Sequence, residues 1–250
     1  MDSYIGFARV YDQLMTNVPY QKWGNFIDGV LTQKLAGKES PLVVDLACGT
    51  GTMTLLLAGK NYDMIGVDMS MDMLAEAQQK ACEAGHNILF LAQDMRKLDL
   101  YGTVDAVISV CDGVNYILKQ DELSAVFKRV RLFMNPGGVF IFDMNTEHKF
   151  KNIFGQRSFE SKAENGAAYV WDNNFDEETK INEYRVHFYP DGSFDSDNFF
   201  TEVHKQRAYE YDCVIRMLKD AGFKKACAYN DYTNEPARAD SLRVVYIAEV

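Results

Sequence analysis

Apolar positions along this chain first recur at three- and four-residue spacings, then gather into short runs of four or five separated by further helical stretches. Over residues 1–37, Ile5, Val10 and Leu14, then Trp23, Phe26, Ile27, Val30 and Leu31, fall at helical spacing with a break at Val18-Pro19, which predicts two short helices. From Leu42 the pattern alternates. Strands are expected at 42–46, 64–67, 88–92, 106–110 and 139–142, and helices at 53–59, 71–84 and about 121–134, with a turn at Asn135-Pro136-Gly137-Gly138 before the fifth strand. Strands and helices that alternate in this way imply a parallel sheet covered by helices on both faces.

The rhythm changes after Asn145. Runs with period two, Ala168 to Asp172 and Ile181 to Tyr189, are followed by the turn Pro190-Asp191-Gly192-Ser193 and a third run from Phe199 to His204. They predict an antiparallel β patch inserted after strand five, spanning 151–209. A helix over 211–221 ends at Gly222, and two last strands, 224–232 and 241–250, are expected to pair as an antiparallel hairpin with a long connection through Pro236. The fold class is therefore α/β: a doubly wound, seven-stranded, mostly parallel sheet built from 1–150 and 210–250, with residues 1–37 as a helical lid and 151–209 as a covering subdomain.

Composition narrows the partners. A chain of 250 residues, 47% of them hydrophobic, can bury a large core. Its 26 basic against 36 acidic residues give a net charge of −10, which disfavours a nucleic-acid partner. The five cysteines, Cys48, Cys82, Cys111, Cys213 and Cys227, are odd in number and lack metal-like spacing, so they read as reduced thiols of a cytoplasmic protein without a metal. The first residues lack a leader pattern, and no run approaches the roughly 20 apolar residues of a membrane helix. No membrane partner is expected, and the chain is read as a monomer or homodimer.

The candidate chemistry begins where the first strand ends, at Asp45-Leu46-Ala47-Cys48-Gly49-Thr50-Gly51. Gly49 and Gly51 let backbone amides approach a nucleotide-like ligand. A dinucleotide fingerprint would place a third glycine where this chain has Thr54, so other residues must decide. Asp45 lies in the first strand, Asp68 closes the second and Asp94 closes the third, which would line one sheet edge with three acids. A carboxylate at the second strand end can accept both hydroxyls of a ribose. Asp94, with Met95 beside it, can accept from an adenine amine, and Asp45 can face an ammonium. So many acids would repel a pyrophosphate and attract a sulfonium carrying an ammonium.

With Gly66-Val67-Asp68-Met69-Ser70, Met73-Leu74, Ala77, Gln93-Asp94-Met95 and Phe7-Ala8-Arg9-Val10-Tyr11-Asp12, this loop resembles the class I S-adenosylmethionine-dependent methyltransferases, and within them the glycine and amino-sugar N-methyltransferases. The resemblance covers about the first 145 residues and the closing strands. It implies a Rossmann-like fold, S-adenosyl-L-methionine as methyl donor, S-adenosyl-L-homocysteine as product, and a small-molecule methyl acceptor. It also implies a cofactor site made of Tyr11, Trp23, Asp45, Ala47, Gly49, Gly51, Asp68, Met69, Asp94, Met95 and Val110, with an N-terminal aromatic, Tyr11 and with it Tyr20 or Trp23, closing over the donor.

The acceptor side is less marked. Methyltransferases of nucleobases or glutamine carry Asn or Asp followed by Pro-Pro and an aromatic after strand four; this chain has Cys111-Asp112-Gly113-Val114-Asn115-Tyr116. Asp112, Asn115 and Tyr116 are thereby the residues expected to orient an acceptor amine or hydroxyl. His187, His204 and Arg207 read first as ordinary strand residues, with a general base as the other possibility for a histidine. Trp171, Tyr184, Phe188 and Phe199 read as the packing face of the inserted sheet, with a wall of the substrate pocket as the other role open to one edge of it. The rival functions are methylation of a protein or RNA, a binding module that has lost catalysis, and a dehydrogenase.

Overall fold

The computed structural model describes residues 8, 11, 12, 15–162 and 166–250. The helices are α1 (Tyr20–Lys34), α2 (Thr52–Ala58), α3 (Met71–Glu83), α4 (Gln120–Leu132) and α5 (Tyr211–Asp220). The strands are β1 (Leu42–Leu46), β2 (Asp63–Asp68), β3 (Leu89–Ala92), β4 (Val104–Ser109), β5 (Met134–Asn145), β6 (Ser158–Lys162), β7 (Ala168–Asp176), β8 (Ile181–Tyr189), β9 (Phe200–Arg207), β10 (Lys225–Asn230) and β11 (Arg243–Glu249). Of the expected first helix, only Ala8, Tyr11 and Asp12 lie among the helical residues described; Ile5, Val10 and Leu14 fall outside them.

Seven strands form one sheet in the order β10-β11-β5-β4-β1-β2-β3. Pairs among β1 to β5 are parallel, whereas β11 runs antiparallel to both β5 and β10, as the hairpin reading expects. Alternate residues of each strand feed opposite faces. Val43, Met64, Ala106 and Ile141 pack with Trp23, Ile27 and Leu31 of α1 and with Met53 and Leu57 of α2. Val44, Val67, Val107, Phe140 and Phe142 pack on the other side with Phe127 and Val130 of α4 and with Val214 and Leu218 of α5. This two-sided burial is what near-continuous apolar strands require.

Three differences from the sequence reading concern the middle of the chain. The expected turn at Asn135 to Gly138 lies inside the long strand β5 as a bulge: Val104 pairs with Met134, but Ala106 already pairs with Val139. Residues 149–154 form a short π-helical turn, and β6 adds a fourth strand to the inserted patch. That patch is a separate antiparallel sheet in the order β6-β7-β8-β9. Phe150 and Phe154 of the π-helical turn pack with Phe175, Ala208 and Trp171 in a small core that seats this sheet beside the large one.

Candidate active site at the strand ends

Parallel strands deliver their C-terminal ends to one edge, and here β1, β2, β3 and β4 do so in register. Beyond β1 the chain turns sharply. Ala47 adopts φ +61, Gly49 φ +53 and Gly51 φ +74, so three of five residues are left-handed before α2 begins. A Cβ built on Gly49 would meet nothing within 4 Å, whereas one on Gly51 would come within 3.0 Å of the Ala77 side chain in α3. The loop thus presents bare backbone outward and packs closely inward.

Two acids hold it. Asp68 accepts from Gly49 N and Ser70 N, both at 2.9 Å, which ties the loop to the end of β2. Burial lifts its carboxyl above the ordinary range against these amide bonds. Asp45, fully buried, accepts from Thr54 Oγ1 at 2.6 Å through one oxygen, and its other oxygen, Oδ1, has no partner among the described residues. Desolvation pushes this carboxyl up to about 7, with the Thr54 bond opposing and the Asp68 charge adding to the rise. A buried carboxylate oxygen without a donor is rare in a native protein. Together with the bare loop it fits a ligand that brings a donor, such as the ammonium of S-adenosylmethionine.

Asp94 caps the turn at Met95–Lys97, and its oxygens are gripped by Arg96, whose Nε lies 3.0 and 2.9 Å from them and whose other nitrogen also reaches Glu122 at 3.0 Å. The Arg96 bonds hold this carboxyl below its usual range. Met95 is half-buried beside it, Met69 is 73% exposed, and Val110 is buried at the end of β4.

The N-terminal segment closes on this edge through polar contacts. Asp12 accepts from Thr50 Oγ1 and from Lys80 Nζ, both at 2.5 Å, so the glycine loop, α3 and the N-terminal helical turn meet at one carboxylate. Tyr11 lies among Cys111, Tyr20, Tyr116 and Asp112; burial first, then these neighbours, raise its phenol. Trp23 instead sits one layer back in the core, stacked on Tyr232 at 4.8 Å with the Arg243 guanidinium 4.9 Å over its ring.

Beyond β4 the backbone is left-handed at two consecutive residues, Cys111 (φ +60) and Asp112 (φ +55). Asp112 accepts from Gln206 Nε2 at 2.6 Å and from Arg243 at 2.9 Å, while its amide donates to Asp143 at 3.2 Å. Arg243 also pairs with Asp143. Burial alone would raise Asp112, but Arg243 and Lys149 outweigh it and hold the carboxyl low. Asn115 is fully buried: its Nδ2 donates to the carbonyls of Asn145 and Arg207 at 3.1 and 2.8 Å, and its Oδ1 accepts from Asn145 N at 2.9 Å. It stitches the turn to β5 and β9. Tyr116 differs from both. Its hydroxyl lies 2.6 Å from that of Tyr184 and 3.1 Å from His204 Nδ1, and 42% of its surface stays open although the surrounding protein raises its phenol. Its hydroxyl is thus held on two sides while part of the ring stays open.

The structure therefore gathers Asp112, Asn115 and Tyr116 in the turn after β4, with Tyr11 beside them, and ties the glycine loop to Asp68 with Asp45 buried behind it. Sequence reading missed Arg243, Gln206 and Lys80, which are distant in the chain and carry no local pattern. Tyr184, read as part of a packing face with one edge open to the substrate, meets the Tyr116 hydroxyl directly.

Comparison with known proteins adds the following. A family model described as "Methyltransferase domain" matches residues 43–138. The chain is 34% identical to YqeM of Bacillus subtilis (strain 168), a protein carrying a methyltransferase name, over 98% of this chain and 96% of that one. It is 24% identical to a glycine/sarcosine N-methyltransferase of Halorhodospira halochloris over 91% of this chain and 85% of that one. Its fold superposes on an S-adenosylmethionine-dependent methyltransferase from Clostridium acetobutylicum ATCC 824 with a TM-score of 0.85 and 29% identity, covering 99% and 98% of the two chains.

Proposed function

The chain belongs to the S-adenosylmethionine-dependent methyltransferases, and from that premise we propose that it methylates an amine, or else a hydroxyl, of a small molecule. The observation that carries this reading is the half-open phenol of Tyr116, held by Tyr184 and His204 under the antiparallel sheet next to the acid-lined cleft. A site turned toward an antiparallel sheet suits a compact acceptor, and a net charge of −10 disfavours RNA. Relatives named for glycine and sarcosine methylation favour nitrogen as the acceptor atom.

The roles follow from position. Asp68 takes the ribose hydroxyls with its remaining lone pairs, Asp45 Oδ1 takes the donor's ammonium, and the amides around Ala47, Gly49 and Gly51 approach its backbone. Asp94 shares its oxygens between Arg96 and the adenine amine, with Met95, Met69 and Val110 as the apolar surround. Tyr11 closes over the site from the N-terminal segment, and Trp23 backs it from α1. Asp112 and Asn115 hold the turn, and Tyr116 meets the acceptor. The bound donor supplies a methyl group on a cationic sulfur, already a strong electrophile, so the protein's task is to align an acceptor and exclude water. A neutral amine needs only an acceptor for its N–H, which Tyr116 provides.

The test is incubation of the purified protein with S-adenosylmethionine and a panel of small primary and secondary amines and alcohols, including glycine, sarcosine and amino sugars, with S-adenosylhomocysteine and methylated product measured by mass spectrometry. Turnover of an amine in the panel is expected. Methylation confined to proteins or RNA of a cell extract would overturn the small-molecule reading.

A further inference from the structure

The side chains of the four-stranded sheet alternate between two faces, and register fixes which residues share one. Trp171, Val186 and Glu202 form one transverse row, Asn173, Tyr184 and His204 the next, and Phe175, Asn182 and Gln206 the third. Gln206 reaches Asp112 and His204 reaches Tyr116, so this is the face turned toward the strand-end turn. His187, Arg185 and Lys205 lie on the opposite face by the same parity.

This inner face carries groups the fold itself does not satisfy. Glu202 is only 5% exposed, and its Oε1 has no hydrogen-bond partner among the described residues. The Trp171 indole N–H, two strands away in the same row, is likewise unmatched. A buried acceptor and a buried donor left open on one face are what a bound polar molecule would complete. Burial holds the Glu202 carboxyl above its ordinary range with no opposing cation.

The neighbouring row supplies a directed chain. The Tyr184 and His204 rings stack at 4.9 Å, and both reach the Tyr116 hydroxyl. Burial lowers the His204 imidazole and so favours its neutral form, which accepts at Nδ1 when its proton sits on Nε2. In the arrangement where Tyr184 donates to Tyr116 and Tyr116 donates to His204 Nδ1, the Tyr116 hydroxyl keeps one lone pair for an acceptor molecule.

We propose that this face is the acceptor site: Tyr116 receives the N–H of the amine to be methylated, His204 accepts the proton through Tyr116, and Glu202 binds a second donor group of the same molecule, an ammonium or hydroxyl. Rise along a strand places Glu202 about 7 Å from His204, which sets the spacing of the two groups. This assignment rests on the methylation reading above. Transfer leaves the nitrogen with one proton too many; that proton passes to Tyr116 Oη as the phenol's own passes to His204 Nδ1. The charge ends on the imidazolium, and the carbon–sulfur electron pair ends on the departing sulfur. Among the described residues, the groups that face His204 include Tyr184 from β8 and Tyr116 from the turn after β4, with Glu202 and Gln206 on its own strand. Asp112, Arg243, Lys149 and Tyr11 stand beyond them.

Two measurements test this, neither requiring turnover. In imidazole ¹H–¹⁵N spectra, with the His204 signals assigned by their loss in His204→Gln, His204 is expected to carry its proton on Nε2, to titrate below the ordinary histidine range, and to lose its Nδ1 hydrogen-bond shift in Tyr116→Phe. A proton on Nδ1, or an ordinary titration, overturns the proton route. In calorimetry with S-adenosylhomocysteine present, glucosamine and 1,4-diaminobutane serve as probes. At least one is expected to bind, with at least a tenfold loss in the isosteric Glu202→Gln and no change in Lys205→Ala on the outer face. Absence of binding by both probes, or equal binding by wild type and Glu202→Gln, overturns the Glu202 assignment. Where the panel yields a methylated amine, Glu202→Gln should raise KM at nearly constant kcat, and His204→Gln should lower kcat and flatten the acid limb of its pH profile. A panel without turnover would defeat the methylation reading while both measurements still report on this site.

Discussion

Asp45 pairs across the sheet with Gly66, two residues before Asp68, yet the two acids differ: Asp68 ties the glycine loop through Gly49 N, whereas one oxygen of Asp45 has no partner among the described residues. The raised carboxyl of Asp45 makes donor binding a pH-dependent event. In the free protein the folded state keeps this proton up to about pH 7, while an unfolded chain releases it in the ordinary carboxylate range. Asp45 therefore costs fold stability as pH rises between those limits. A cationic ligand favours the ionised form, so binding below pH 7 releases a proton and tightens with rising pH by up to about tenfold per unit, levelling above 7. Calorimetry in buffers of differing ionisation enthalpy should detect that proton; a pH-independent affinity would remove the ammonium from Asp45. For Asp68→Ala, the loss of a charge-assisted contact and of the tie to Gly49 N predicts binding weaker by about 2 kcal/mol or more, roughly 30-fold, with an unchanged affinity counting against the ribose role.

At the scale of elements, most of the parallel sheet was legible because each strand is a short apolar run bounded by turn residues. Leu42 to Leu46 is assigned to the same residues by pattern and by structure. The readings that diverge share a cause: Ser158 to Lys162 pairs as a strand by its backbone while its side chains stay largely exposed, so no hydrophobic alternation announces it. Likewise Asn135 to Gly138 has turn chemistry yet sits as a bulge in paired strand. At the site, Gly49, Gly51 and the acids could be read because they cluster in sequence. Arg243 and Gln206 could not, since Asp112 meets them only after β9 and β11 have been folded across it. One element-level contact is directly testable. Lys80 of α3 and the N-terminal segment meet at Asp12, and Lys80→Met should loosen that closure. Because the pair is partly exposed, about 1 kcal/mol is expected, seen as a roughly fivefold faster release of S-adenosylmethionine in stopped flow; an unchanged release rate would separate this contact from closure.

For the whole molecule, Arg243 is the point where both halves are joined. From β11 it pairs with Asp143 of β5 and with Asp112 beyond β4, lies over Trp23 of α1, and through Asp112 reaches Gln206 of the covering sheet. Arg243→Met would leave two buried carboxylates without their cation. Unfolding by urea is expected to show a loss of about 3–5 kcal/mol at pH 7, shrinking at low pH as the two acids are protonated. A loss equal at pH 7 and pH 4 would show that packing, not charge, is what the arginine contributes.

The parity of the covering sheet has a consequence for how such a chain can change over generations. On the acceptor assignment proposed above, substitutions at Glu202 or Val186 would alter what the inner face recognises without disturbing the glycine loop, whereas Trp171 is also tied into the small core with Phe154. Length changes fit the hairpin tips around 177–180 and 190–199 better than the strands, since a single residue inserted at the start of β9 would exchange Glu202, His204 and Gln206 for Thr201, Val203 and Lys205. New acceptors can thus be explored by point substitution in one sheet while the machinery for the methyl donor is inherited intact.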